Sequence, residues 1–328
     1  MNDAFNREIN YLRISVTDRC NLRCRYCMPK EGVSLLGHDD ILRYEEIERI
    51  VQVAVSLGII KVRLTGGEPL IRRGLLEFLK SLNSLEGLQE VTLTTNGILL
   101  EEMALPLYES GIRRINISLD SLKPDKYHYI TRGGDLKKVL NGIRLAHQKG
   151  FAPIKINVVI MKGFNDDEIE DFASVAIRNP YQVRFIELMT FGSNFLEQTE
   201  YLSNQEVIAR IKARHELIPV LTESRDKGPA NVYRIKGALG EIGFINAGNK
   251  HLCKTCNRLR LTADGRLRAC LLSENELDLK SILRSGCSNI DIETAIKEAI
   301  SAKAEIREQD RKNDQIRKCV RPMYAIGG

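Results

Sequence analysis

The sequence predicts an α/β chain: a parallel sheet curled into a barrel that stays partly open, followed by a smaller α+β region. Three observations carry this reading. Helical stretches end repeatedly in glycine and lead into short β-like runs. Those runs alternate apolar and polar residues. Near residue 220 the rhythm stops, and Gly and Pro become frequent in KGPANVYRIKGALGEIGFINAGNK. The expected division is 1–220 and 221–328.

The elements follow in order. Ile47, Ile50, Val51, Ala54 and Val55 share one helix face; Gly58 stops that helix and KVRLT follows. LLEFLKSLNSLEG ends at Gly87 before VTLTT, a short helix ends at Gly111 before RINISLD, and DLKKVLNGIRLAHQKG ends at Gly150 before IKINVVI. Glycine just past a helix adopts the left-handed conformation at little cost. Helix–strand alternation implies βα units with right-handed crossovers. Fully buried parallel strands are apolar on both faces. Here Arg63 and Thr65 oppose Val62 and Leu64, Thr92, Thr94 and Asn96 oppose Leu93, Asn116, Ser118 and Asp120 oppose Ile115, Ile117 and Leu119, and Lys155 and Asn157 oppose Ile154, Ile156 and Val158. The polar faces call for a wet, ligand-filled lumen rather than a barrel packed with Val, Ile and Leu. An antiparallel sheet with one solvated face is the alternative, and the helix–glycine–strand rhythm argues against it. A charged helix is expected from about 291 to 318, and the chain ends in RPMYAIGG.

Composition narrows the class. The 328 residues hold no apolar run of transmembrane length and no signal-peptide pattern at MNDAFNREINYLRIS, so the expected compartment is the cytoplasm, with no membrane partner. A net charge of +6 suits a polyanionic small molecule; the chain shows no basic tail or nucleic-acid-binding module. Six of the eight cysteines form two clusters, Cys20, Cys24 and Cys27, and Cys253, Cys256 and Cys270, while Cys287 and Cys319 stand alone. Clustered thiols in a reducing compartment read as metal ligands.

Each cluster supplies three ligands. A structural zinc site closes with four, and an iron–sulfur cubane is usually held by four cysteines. C-x3-C-x2-C in CNLRCRYCMP leaves a fourth corner, for which His38 is a distant candidate. An open cluster iron offers that corner to a small ligand. The second cluster, C-x2-C-x13-C in HLCKTCNRLRLTADGRLRACLL, is also open to a Cys3His zinc reading through His251.

The first motif resembles the signature of the radical S-adenosylmethionine superfamily. That resemblance implies the partial (βα)6 open TIM barrel of its core, a [4Fe–4S] cluster on Cys20, Cys24 and Cys27, and bound S-adenosylmethionine. Tyr26 matches the residue placed near adenine. Gly67, in TGGEP at 65–69, matches the loop that receives the methionine amino group. Ser118 and Met189 match further cofactor contacts. The second motif, with LRISVTDRCNLRCRYCMP and the terminal Gly-Gly, is similar to the GTP 3′,8-cyclase family of molybdenum cofactor biosynthesis, over about Tyr11 to Gly328.

That likeness implies a second [4Fe–4S] cluster, on Cys253, Cys256 and Cys270, facing the purine. It implies GTP contacts at Arg13, Arg63, Thr94, Lys155, Arg258 and Arg260, with the two last also catalytic, and a phosphate contact at Arg72. It further implies a homodimer, an electron donor, and a downstream cyclic pyranopterin monophosphate synthase. Arginines suit phosphate through bidentate pairing. The chain departs from the family at IRRG, where Arg73 and Gly74 stand in place of an aspartate.

Gly327 and Gly328 read two ways. Composition suggests a frayed end, whereas the family likeness places this tail in the active site. Alternatives for the whole chain are another radical enzyme with an auxiliary cluster, modifying peptide or RNA, or a zinc-stabilised binding protein.

Overall fold

The computed structural model describes residues 1–189, 201–220, 228–246, 255–271, 273–312 and 321–327, with only the helical backbone over 304–312. Six parallel strands form its centre: β1 (Tyr11–Ser15), β2 (Lys61–Thr65), β3 (Glu90–Thr95), β4 (Ile115–Ser118), β5 (Ile154–Ile160) and β6 (Gln182–Glu187). Each pairs with the next in sequence. The helices between them are α1 (Tyr44–Ser56), α2 (Leu75–Asn83), α3 (Leu100–Glu109), α4 (Pro124–Thr131), α5 (Leu136–Gln148) and α6 (Ile169–Arg178). Gly58, Gly87, Gly111 and Gly150 all carry φ between 87° and 99°, the left-handed stops the sequence predicts.

The C-terminal strands extend both edges of this sheet. After α7 (Asn204–Lys212), β7 (Leu217–Pro219), β8 (Asn231–Ile235) and β9 (Glu241–Ile245) continue from β6, with β9 parallel to it. On the other side β10 (Arg258–Leu261) runs parallel to β1, followed by β11 (Arg266–Arg268) and β12 (Leu277–Asp278). The result is one twelve-stranded open sheet in the order β12-β11-β10-β1-β2-β3-β4-β5-β6-β9-β8-β7. β7 and β8 lie on either side of residue 220 and pair with each other, so the sheet crosses the expected division. Three helices complete the chain: α8 (Leu279–Arg284), α9 (Asn289–Lys312) and α10 (Met323–Ile326). Among the described residues no helix is long and apolar enough to cross a membrane.

Alternation decides which way side chains face. On β5, Ile154, Ile156, Val158 and Ile160 are buried while Lys155, Asn157 and Val159 are half-buried. The buried set joins Leu12, Ile14, Val62, Leu64, Leu93, Ile115 and Ile117 in one core under the helices. Burial of such side chains contributes about 1.5–3 kcal/mol each. The opposite face is left to the polar residues that line the lumen.

Candidate active site

The first thiol loop follows β1 and is tied down at every step. The N–H groups of Cys27 and Met28 donate to the Cys24 carbonyl at 2.9 and 3.0 Å. Arg23 and Arg25 donate from their backbones to Thr131 and Ile130, at the end of α4, and Arg132 donates to the carbonyls of Arg23 and Met28. Leu22 N–H lies 3.4 Å from Cys20 Sγ and Asn96 Nδ2 lies 3.8 Å from it. TGGEP braces the loop from the side. A Cβ on Gly66 would stand 2.5 Å from the Thr17 carbonyl oxygen, and one on Gly67 would stand 2.1 Å from that of Arg19. Without side chains there, Gly67 and Glu68 donate their N–H groups to Thr17 and Arg19 at 2.7 and 2.8 Å. Glu68 is wholly buried and accepts from Thr95 Oγ1, Leu70 N and Asn96 N. Burial pushes its carboxyl up to about 7.

This environment disfavours thiolate. Burial pushes Cys27 up to about 12, with Cys20 and Asp120 adding to the rise. Burial also raises Cys24 well above its ordinary range, with Cys27 and Asp120 contributing. Asp120 accepts from Tyr26 Oη at 2.7 Å and from Val159 N at 2.8 Å. Three half-buried thiols on one braced loop are sulfur donors of the kind that hold an iron–sulfur cluster, although among the described residues no three Cys, His, Asp or Glu side chains are gathered tightly enough to hold a single metal ion. His38 is not part of it: its side chain is 89 % exposed, a correction to its candidacy as a fourth ligand. Ser118 ends β4, and Met189 lies two residues past β6, packed against Ile326.

The lumen collects the expected cations. Arg260, Arg13 and Arg63 are register partners on β10, β1 and β2, so they stand side by side on one face. Thr94, Asn116 and Lys155 form a second row across β3, β4 and β5. Thr94 Oγ1 is buried with no hydrogen-bond partner among the described residues, an orphan that asks for a ligand. Burial, then Arg184, Arg114 and Arg63, bring the Lys155 ammonium down to about 6. Arg260 is brought down to about 10 by burial and by Arg258. Arg184 is a lumen cation that sequence reading passed over: it is 6 % exposed and its Nε donates to Gln182 at 2.6 Å. The alternation rule that singled out Arg63 also marks it, in QVRFIE.

Arg72 is placed differently. Its guanidinium donates to the carbonyls of Val16 and Leu42 and lies 4.1 Å over the Tyr44 ring. Those donors are engaged with the backbone of the chain rather than directed into the lumen, which sets it apart from the other predicted phosphate contacts.

The second thiol group lies beyond β1. Cys253 and His251 fall outside the described residues, as do Cys319 and Gly328. Cys256 and Cys270 flank β10 and β11. Asn257 holds this segment to the start of β1, accepting from the N–H groups of Asn10 and Tyr11 and donating to Asn10 Oδ1 at 2.7 Å. Although burial opposes ionisation, Lys303 and Arg258 bring Cys256 down to about 6. Cys287 is a free thiol away from both groups, in the wall between α8 and α9.

The described part of the C-terminal tail, 321–327, packs into the fold, which corrects the frayed-end expectation at Gly327. Arg321 holds its root, donating to both Asp264 oxygens at 2.7 Å and to Glu276 at 2.6 Å. Ile326 is buried, and the Gly327 carbonyl accepts from Arg260 at 3.3 Å. A Cβ on Gly327 would meet Ser15 Cβ at 2.8 Å and Thr65 Cγ2 at 3.0 Å, so the tail comes this close to β1 and β2 only with glycine there. The N–H of Tyr324 bonds to Cys27. The tail thus runs from the first thiol loop to the arginine row.

The chain matches known families and proteins. Residues 14–176 match the radical SAM superfamily and residues 181–309 match Molybdenum Cofactor Synthesis C. The chain is 48 % identical over 330 aligned residues to the GTP 3′,8-cyclase of Thermodesulfovibrio yellowstonii, covering 100 % of both. It is 50 % identical over 303 residues to that of Moorella thermoacetica, covering 92 % of this chain and 94 % of the other. Among solved structures, Streptococcus suis SuiB bound to S-adenosylmethionine aligns with a TM-score of 0.58 at 16 % identity, over 84 % of this chain and 65 % of that one, a likeness of fold alone.

Proposed function

The chain belongs to the radical SAM superfamily and, within it, to the GTP 3′,8-cyclase family; from that premise we propose that it converts GTP to (8S)-3′,8-cyclo-7,8-dihydroguanosine 5′-triphosphate, the first step of molybdenum cofactor biosynthesis. The observation that carries this reading is the row Arg260–Arg13–Arg63, three arginines that are register partners on adjacent strands. Like charges gathered in the interior repel one another unless an anion joins them, and a triphosphate supplies it.

Cys20, Cys24 and Cys27 would hold the first [4Fe–4S] cluster, and Tyr26, Gly67, Ser118 and Met189 would contact S-adenosylmethionine. When bound, this pair supplies the radical that removes hydrogen from C3′ of GTP, so that C3′ can close onto C8 of guanine. The chain's own residues orient and enclose. Arg13, Arg63, Lys155 and Arg260, with Arg184 beside them, bind the phosphates. Thr94 Oγ1 offers a hydrogen bond to the nucleotide. Asp120 fixes the Tyr26 ring by its hydroxyl. The Gly-Gly tail, held at Arg321, excludes water over the reacting sugar.

Cys253, Cys256 and Cys270 would hold a second [4Fe–4S] cluster against the purine, with Arg258 and Arg260 beside it. We assign Arg72 to bracing the sheet mouth in place of direct phosphate contact. The barrel core is taken as 1–220 and the iron–sulfur region as 221–328. The proposed setting is a cytoplasmic homodimer, fed by an electron donor and followed by the cyclic pyranopterin monophosphate synthase.

The test is anaerobic reconstitution, then incubation with reductant, S-adenosylmethionine and GTP deuterated at C3′. The expected result is one 5′-deoxyadenosine carrying deuterium for each cyclised nucleotide. Deoxyadenosine without deuterium and without a cyclised product would overturn the substrate assignment.

A further inference from the structure

Lys303 belongs to neither ligand set nor to the lumen, yet its charged side chain is held in the interior, 3 % exposed. It lies on α9, whose inward positions Ile292, Ala295, Ile296, Ala299 and Ile300 are all buried. The helical repeat brings residue 303 next onto that face. A lysine therefore stands where the pattern calls for an apolar side chain. A buried ammonium is costly unless its protons are received. It has three, and the structure gives three acceptors: Ala269 O at 2.7 Å, Arg258 O at 2.9 Å and Cys256 Sγ at 3.4 Å. Ala269 immediately precedes Cys270, and Arg258 lies two residues after Cys256. One ammonium thus ties together the two strand segments that carry these thiols.

We infer that Lys303 is the positioning residue of the second iron–sulfur site: it pins the Cys256 and Cys270 segments to one fixed positive charge and makes that site the more easily reduced of the two. The inference rests on the proposed second cluster. A cluster's potential rises with hydrogen bonds to its sulfurs and with positive charge nearby, because reduction adds negative charge. The first thiol loop also receives N–H groups at Cys20 Sγ, from Leu22 and Asn96, but the charged groups behind it are carboxyls rather than an ammonium. Asn96 joins Cys20 to the buried Glu68, and Tyr26 joins the loop to Asp120. The electron needed for cofactor cleavage belongs on the less easily reduced, more strongly reducing site. Lys303 reserves that role for the first by holding the second at a higher potential.

The experiment uses the full chain carrying C20A, C24A and C27A, so that only the second site loads on anaerobic reconstitution. Iron is counted, and the cluster is titrated redox-wise by electron paramagnetic resonance. About four irons are expected, from the cubane stoichiometry. Lys303→Gln can still donate to both carbonyls but carries no charge. It is expected to keep the iron while the reduced-to-oxidised ratio at the parent's midpoint falls at least about tenfold, a downward shift of about 59 mV for one electron. Lys303→Arg is expected to restore most of it. An iron-loaded K303Q with the parent's midpoint overturns the inference while leaving the cluster reading intact. A parent chain with no cluster overturns both. Should K303Q fail to fold, 15N-lysine labelling of the chain with Lys303 intact decides instead, with Lys254→Arg so that the lysine next to Cys253 in sequence contributes no signal. A hyperfine coupling from lysine nitrogen to the reduced cluster is expected, and its absence overturns the inference.

Discussion

The two thiol groups of this chain are chemically alike and electrostatically opposite. Cys24 and Cys27 are raised by desolvation and by neighbouring thiols and Asp120, Cys27 to about 12. Cys256 sits against Lys303 and Arg258 and is driven down to about 6. The difference teaches that a cysteine motif specifies where sulfur stands, while neighbours from elsewhere in the chain specify what charge it tolerates. The first site tolerates thiolate only when metal takes the proton's place. At the second, the cations beside Cys256 favour its thiolate.

The sharpest way to break this comparison is to remove one thiol from each side. Cys24→Ala is expected to abolish 5′-deoxyadenosine formation while leaving GTP affinity within a few-fold of the parent. Cys256→Ala is expected to keep cofactor cleavage and lose the cyclised nucleotide. Chromatographic quantitation of both products checks this, and equal behaviour of the two variants would end the division of labour.

A smaller loss is expected from Arg260→Ala. Removing one partner of a buried charged contact costs about 2–5 kcal/mol, which corresponds to roughly thirtyfold or more in GTP affinity. Isothermal titration reads it, and a change under threefold would remove Arg260 from the phosphate row.

The thiols can also be compared without metal. In the apo chain at pH 7.5, Cys256 is mostly thiolate and Cys24 and Cys27 are mostly thiol, so Cys256 is expected to alkylate about tenfold faster or more with iodoacetamide. Peptide mass spectrometry over time gives the ratio. Comparable rates would show that the two environments do not differ as described.

The gentlest probe is the proton taken up on binding. Lys155, brought down to about 6 in the free protein, is mostly neutral at pH 8. Bound phosphate favours its charged form. GTP binding at pH 8 is expected to take up about one proton, read from the dependence of binding enthalpy on buffer ionisation, and Lys155→Met is expected to abolish the uptake. The same shift has a stability consequence. The unfolded chain binds the extra proton between about pH 6 and the ordinary lysine range, so this residue's penalty on folding shrinks as pH rises through that window.

Much of this was legible in advance, for reasons specific to the residues. The alternation in IKINVVI put Lys155 and Asn157 on a polar face, and β5 carries that pattern of burial. The glycine stops located four helix ends because a left-handed residue is a local requirement. Arg184 was passed over although QVRFIE obeys the same rule as KVRLT. The family likeness implies a phosphate contact at Arg72, and nothing in the sequence signals the partners it has in the fold, the Tyr44 ring and the carbonyls of Val16 and Leu42, because they come from other segments. The tail looked frayed by composition because nothing within it predicts Arg321's partners, Asp264 and Glu276.

The sequence by itself determined the thiol spacings, the order of βα units, the strand faces and the glycines that allow close approach. These are short-range properties, set by bond geometry and by neighbours a few residues apart. Only the tertiary structure decided the field around Cys24, Cys27 and Cys256, the row of Arg260, Arg13 and Arg63, the seat of residues 321–327, and the three bonds of Lys303. Electrostatic and hydrogen-bond energies depend on distance through space, and the groups that set them here are brought together from opposite ends of the chain.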